Sequence, residues 1–221
     1  QSYFLYTLGQ AQLARCLFPI GELTKPQVRQ MAMDASLKTA KKKDSTGICF
    51  IGERDFRGFL MRYITPESGP IQTPRGQVLG EHPGIAFFTL GQRGGMGIGG
   101  VKGFPDQPWY VVGKIRENNT LIVDQGQDNI HLMSTHLQAT DLSWIFGSAP
   151  SMHFRATAKT RYRQPDQTCE VHVHSNGHMD VYFDQAQRAV TPGQSVVLYQ
   201  QDVCLGGGII NASNAPYGGL S

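Results

Sequence analysis

"PWYVVGKIRENNTLIVDQGQD", residues 108–128, decides the class of fold. Two runs rich in β-branched and aromatic residues, YVVGKI and TLIV, flank the pair Asn118-Asn119, an arrangement that predicts two strands joined by a turn. The same texture spreads outward into "GQVLGEHPG" (76–84) and "MDVYFDQAQRAVTPGQSVVLYQ" (179–200). With 26 glycines and 12 prolines in 221 residues, the chain has the turn residues that many short strands need. The stretch "HLQATDLSWIFGSAPS" (136–151) reads as a connector, after which period-two alternation resumes as far as Ile210. Domain boundaries are therefore expected near residues 58 and 137. Hairpins build barrels and sandwiches alike, so the pattern leaves that choice open.

The first third carries the only good helical signal. In "GELTKPQVRQMAMDASL" (21–37), Thr24 and Gln27 form a T-x-x-Q capping pattern and Pro26 falls in the first turn. Val28, Met31, Ala32 and Ala35 recur at helical spacing. Leu8, Leu13 and Leu17 suit an earlier helix, which Gly9 and Pro19 restrict. The expected architecture is mainly β with an α-helical amino-terminal segment, then a small β-rich central domain and a second β-domain.

Composition sets wide bounds. Apolar residues are 40% and charged residues 17%, ordinary for a water-soluble chain, and no run approaches the roughly 20 apolar residues of a membrane helix. A net charge of +3 neither requires nor excludes a nucleic-acid partner. Cys16, Cys49, Cys169 and Cys204 form no CxxC pair, which favours a reducing, cytoplasmic setting over a secreted disulfide framework. The chain starts at Gln1 and is apolar at once, and so is expected to be part of something larger. The ending, "NASNAPYGGLS", is polar and glycine-rich, with 216–221 expected as a disordered tail.

Four stretches carry candidate chemistry. "GMGIGG" (95–100) matches GxGxxG, but Gly103, Pro105 and Pro108 follow where a phosphate-binding helix should begin, so a turning loop is expected. "HVHSNGHMD" (172–180) offers His172, His174 and His178; lacking a zinc-type spacing, it reads as a hairpin with half-exposed histidines, and no metal is expected. In "HFRATAKTRYRQ" (153–164), Arg155, Lys159, Arg161 and Arg163 share one parity. An extended strand would project them from one face at about 7 Å intervals, close to the phosphate spacing of a nucleic acid. Tyr162 beside them is suited to stacking on a base. Finally, "KKKDSTGICFIGER" (41–54) sets Cys49 among Lys41, Lys42, Lys43 and Arg54, cations that would lower a thiol pKa, between Gly47 and Gly52. Cys16 and Cys204 sit in contexts typical of packing, and Cys169 in a strand.

The wording of several segments is similar to one family. "QSYFLYTL", "LFPIGELTKPQVR", "DSTGICFIGER", "PGIAFFTLGQRGGMGIGG", "PWYVVGK" and "GGGII" resemble, in this order and to about Ile210, the rear portion of bacterial tRNA-specific 2-thiouridylases. The resemblance implies a carboxy-terminal β-barrel at about 138–215, a β-rich domain at 58–137 and, in 1–57, a helical remnant of a catalytic nucleotide-binding domain. That family uses ATP to activate the C2 oxygen of the wobble uridine in tRNA and replaces it with persulfide sulfur. Its persulfide cysteine corresponds to Cys49 and its tRNA contacts to Gln1, Arg161, Tyr162 and Gln194. Its SGGVDSS phosphate loop is absent from these residues, so no activity is expected of this stretch alone. The implied partners are tRNA and a sulfur-relay protein or cysteine desulfurase, with no membrane. The competing expectations are an RNA-binding β-module with an inert Cys49 and a thiol redox protein, the latter short of a partner cysteine.

Overall fold

The computed structural model describes residues 2–42 and 56–220. They fall into two compact units, one spanning Gln1–Leu13 with Pro66–Ser221 and the other Ala14–Thr65.

The smaller unit holds α2 (Lys25–Asp34) and α3 (Phe56–Leu60). The start of α2 is the one read from the sequence: the Thr24 N–H and hydroxyl each donate to Gln27 Oε1 at 2.8 Å, and Pro26 needs no partner in the first turn. None of its residues is buried, and Met31 is 56% exposed. The earlier helix, α1, is only Gln10–Leu13 and lies in the larger unit.

Apart from α1 and three 3-10 turns, the regular structure of the larger unit is β. Its first sheet joins β1 (Gly69–Gln72), β2 (Val78–His82), β3 (Trp109–Ile115) and β4 (Thr120–Gln125) in the order β2-β1-β4-β3, with β1 and β4 parallel and the other pairs antiparallel. β3 and β4 are the hairpin of residues 108–128. Asn119 takes φ +53° at its turn, and its Nδ2 donates to the carbonyls of Glu67 and Ser68, tying the turn to the chain entering β1. Ile71, Val111, Leu121 and Val123 are sealed in the sheet's core.

β5 (Met133–Trp144), β6 (His153–Lys159), β7 (Gln167–Val173), β8 (Met179–Arg188), β9 (Ser195–Gln200) and β10 (Val203–Ser213) close a barrel in the order β10-β5-β8-β7-β6-β9. Every neighbouring pair is antiparallel. Alternation fills the interior: Ala156 and Ala158 of β6, Cys169 and Val171 of β7, and Leu198 of β9 point inward. Closure, which sequence patterning left open, depends on "GGGII": a Cβ on Gly207 would lie 2.2 Å from the Val196 carbonyl oxygen, and one on Gly206 2.1 Å from that of Ser143. Only glycine lets β9 and β5 approach β10 so closely.

Three expectations change. The second boundary falls before Met133 rather than at 137, because β5 already pairs with Arg188 of β8 there. By packing, residues 2–13 group with the β unit rather than with residues 14–65. The ending read as a disordered tail is tied down: Ser213 N–H donates to the Gly218 carbonyl (2.8 Å), Leu220 N–H to the Ser213 carbonyl (3.1 Å), and Tyr217 covers β3 at Gly113.

Candidate nucleic-acid interface

The chain's start is a single 3-10 turn, Ser2–Phe4, fixed to β9 by tyrosines. Tyr3 Oη donates to the Ser195 carbonyl at 2.8 Å, Tyr6 Oη meets Ser195 Oγ at 3.0 Å, and both rings are buried with Val197 and Tyr199. Burial, with Tyr6 and Tyr199 adding to it, raises the Tyr3 phenol to about 12, so it remains a hydrogen-bond donor at neutral pH.

Beside it the strand carrying the cations stops. β6 ends at Lys159, and Thr160–Arg163 turn away, held by Gln164 Oε1, which accepts from the Thr160 N–H and hydroxyl at 2.8 Å. The four-cation stripe expected from parity is thus broken. The structure also supplies acids that strand parity could not reveal. Arg155 makes a two-pronged pair with Asp184 of β8, and Lys159 lies 3.3 Å from Asp166. Arg163 is exposed.

Arg161 is drawn inward instead. Its Nη2 donates to the carbonyls of Leu90 (2.9 Å) and Ala189 (3.1 Å) and to Thr191 Oγ1 (3.3 Å), linking the first sheet to the β8–β9 turn. Burial and the nearby Arg188 both disfavour its charge, so its pKa is lowered, and no acid pairs with it among the described residues. Tyr162, next along, turns outward against Phe4, ring centroids 4.6 Å apart. Strict alternation would have sent Tyr162 inward; the end of β6 frees it.

The result is a recess of about 590 Å³ lined by Tyr3, Phe4, Arg161, Tyr162, Gln194 and Ser195, among others. Phe4 is 65% exposed and Tyr162 39%, an aromatic surface open to solvent. Gln194 follows Gly193 in the β8–β9 turn; its main chain is fixed to Ile210 and Thr191, while its carboxamide has no hydrogen-bond partner among the described residues. Of the residues predicted for tRNA contact, Arg161, Tyr162 and Gln194 come together here, and Arg155 and Lys159 are held by acids. Gln1 and Cys49 lie outside the described residues. Phe4 was missed by sequence reasoning; the run of aromatics in "QSYFLY" was its only signal.

Other candidates resolve as follows. The Gly95–Gly100 loop bends at positive φ at Gly95, Gly97 and Gly100, Met96 is buried under it, and no helix follows, so it offers no helix end to a nucleotide phosphate. The histidines lie on the barrel's outer face. His136 Nε2 (2.7 Å) and His174 Nε2 (2.6 Å) flank the two carboxylate oxygens of Asp180, and His172 pairs with Glu170 at 2.8 Å. His153, Glu170 and His172 bring ligand atoms within 4.8 Å of one another, a grouping that the His172–His178 motif alone did not contain. Cys169 is sealed in the barrel, and burial pushes its thiol up to about 12; Cys204 is half-buried and also raised by burial. Cys16, expected to pack, is exposed. No helix among the described residues is long and apolar enough to cross a membrane.

Sequence comparisons divide the chain into three. Residues 1–53 match the tRNA methyl transferase HUP domain, 57–125 the tRNA methyl transferase PRC-barrel domain and 134–210 the aminomethyltransferase beta-barrel domain. The chain is 57% identical over 216 residues to the tRNA-specific 2-thiouridylase MnmA of Xanthomonas euvesicatoria pv. vesicatoria, and 57% identical over 217 residues to that of Stenotrophomonas maltophilia. Each match takes in 98% of this chain and 57% of the relative. By sequence, the chain groups with the tRNA-specific 2-thiouridylases and spans a little over half of their length.

Proposed function

We propose that this chain is the tRNA-gripping and sulfur-carrying part of a tRNA 2-thiouridylase, with Cys49 holding the transferable sulfur as a persulfide. The observation that supports the reading most is the convergence of Arg161, Tyr162 and Gln194 with Phe4 on one recess, although they are spread over nearly the whole length of the chain. Exposed aromatic rings suit stacking on unpaired bases, and the free carboxamide of Gln194 can both donate to and accept from a base edge or ribose. Arg161 places the turn that bears Gln194 and adds an unpaired positive charge. Arg155 and Lys159, already compensated by acids, contribute to the wider field together with Arg163. Ser2–Phe4, which follow Gln1 in the sequence, are fixed on β9.

The sulfur chemistry belongs to Cys49. A persulfide there delivers its terminal sulfur to C2 of the wobble uridine: the C–S bond forms, and the bond from C2 to the adenylated oxygen breaks with AMP leaving. A second thiol, from outside the described residues, then attacks the Cys49 sulfur, so that the S–S bond breaks, its electron pair stays with the sulfur on the uridine, and Cys49 is left in a disulfide. ATP, which activates the uridine in the relatives' family, finds no phosphate loop among the described residues.

The test couples two readouts on the intact chain. After incubation with a cysteine desulfurase and labelled cysteine, a gain of about 32 Da should map to the peptide carrying Cys49. A tRNA transcript should bind with an affinity that falls steeply with salt. Cys49→Ser should lose the first and keep the second. RNA binding with no sulfur on Cys49 would leave an RNA-binding β-module with an inert cysteine, and the absence of tRNA binding refutes the reading.

A further inference from the structure

Of the ten Lys and Arg residues of this unit, Arg155 and Lys159 are held by acids, Arg161 and Arg188 by main-chain carbonyls, and Arg75, Arg93, Lys102 and Arg163 are exposed. Lys114 and Arg116, two residues apart at the end of β3, are the pair that shares one recess. They line a second recess, about 540 Å³, with Thr89, Gln194, Asn211 and Tyr217, and no Asp or Glu is among its lining residues. Neither side chain has a hydrogen-bond or ion-pair partner among the described residues. Lys114 is half-buried, and both burial and the neighbouring Arg116 lower its amine pKa. Holding two like charges together with one of them partly out of water is unfavourable unless an anion joins them.

The two recesses share Gly193 and Gln194. One side of that turn is aromatic and the other cationic. Gly193, at φ +85° with open space where a Cβ would stand, presents bare backbone between them. A ligand crossing the turn meets stacking surfaces first and then positive charge, the alternation of base and phosphate in a polynucleotide. We propose that the groove walled by Lys114 and Arg116 is a phosphodiester site that continues the path of bound tRNA beyond Gln194. This rests on the RNA-binding function argued above. It assigns the first sheet, and not the barrel alone, a direct share in gripping RNA, through residues that the sequence signals for RNA contact did not include.

The experiment measures binding of a tRNA transcript to the full chain across a salt series. It compares wild type, the double variant Lys114→Gln/Arg116→Gln, and a charge-matched control, Arg75→Gln/Lys102→Gln, whose residues are exposed and line neither recess. The plot of log affinity against log salt should be shallower in the double variant by about 0.7–1.8, one to two phosphate contacts, and unchanged in the control. Its melting temperature should equal or exceed wild type, because a like-charge repulsion has gone. Binding with the wild-type slope in the double variant overturns the inference and leaves the functional reading intact; failure of the wild type to bind tRNA at any salt overturns both. If inorganic phosphate raises the wild-type melting temperature but not the double variant's while the RNA slopes agree, the groove holds a free anion, and the nucleic-acid assignment is wrong.

Discussion

Arg161→Ala separates a residue that builds the proposed RNA surface from one that would merely touch RNA. The guanidinium donates from one nitrogen to three oxygens, at 2.9, 3.1 and 3.3 Å, that belong to segments far apart in the chain. A hydrogen bond from a charged donor contributes about 1.5–3 kcal/mol net. Here the third contact is long, and the half-buried site lets water replace part of what is lost, so the sum is about 3 kcal/mol rather than three full contributions. For a unit of this size that lowers the melting temperature by about 6–12 °C. Differential scanning calorimetry gives the number directly. The companion variant Arg161→Lys keeps the charge, but its side chain ends one bond short of the position that Nη2 occupies. If the guanidinium's reach positions the Thr191–Gln194 turn, Lys recovers little of the stability and tRNA binds more weakly with nearly the wild-type salt dependence. Melting of Arg161→Ala within about 1 °C of wild type, with the salt slope down by about one contact and restored by Lys, would refute the positioning role and leave a simple phosphate ligand.

Other outcomes follow from the same geometry. Phe4→Ala should weaken tRNA binding by about 1–3 kcal/mol through lost stacking while leaving the salt slope alone, measured by filter binding at two salt concentrations. Gly113→Ala puts a Cβ 2.5 Å from Cγ of Tyr217, so thermal stability should fall by about 1–3 kcal/mol and recover when Tyr217 is also replaced by Ala. In native protein at pH 8, iodoacetamide should label Cys49 and the exposed Cys16 but spare Cys169 and Cys204, whose thiols are raised by burial, as read by peptide mass spectrometry. Asp180 loses by burial but gains more from hydrogen bonds with His136, His174 and Gln138, so its folded pKa is lowered. Its stabilising contribution is therefore present above the ordinary carboxylate value and disappears as pH falls through the lower folded one; Asp180→Asn should flatten the acid limb of a melting-temperature profile.

The hairpin of 108–128 was legible because its determinants are local: β-branched runs, and an Asn able to adopt positive φ between them. The Thr24–Gln27 cap was legible for the same reason. Barrel closure was not, since it depends on β10 meeting β5, a relation between residues 143 and 206 that no local window contains. The tail was misread because polarity and glycine content describe its composition, whereas its order comes from Tyr217 covering a strand a hundred residues earlier.

Parity in "HFRATAKTRYRQ" found the right neighbourhood for the wrong reason. It correctly put Arg155 and Lys159 on the outer face, but one strand cannot report what its neighbours carry, and β8 and the β6–β7 turn bring Asp184 and Asp166 onto that face. What makes the region a candidate RNA surface is the failure of the strand after Lys159: the turn frees Tyr162 to face Phe4 and sends Arg161 inward to three oxygens. A uniform cationic stripe would bind any polyanion. A stacking surface, an unsatisfied carboxamide and a guanidinium spent on positioning discriminate by shape and by base, which is what recognition of one nucleotide in a folded RNA demands.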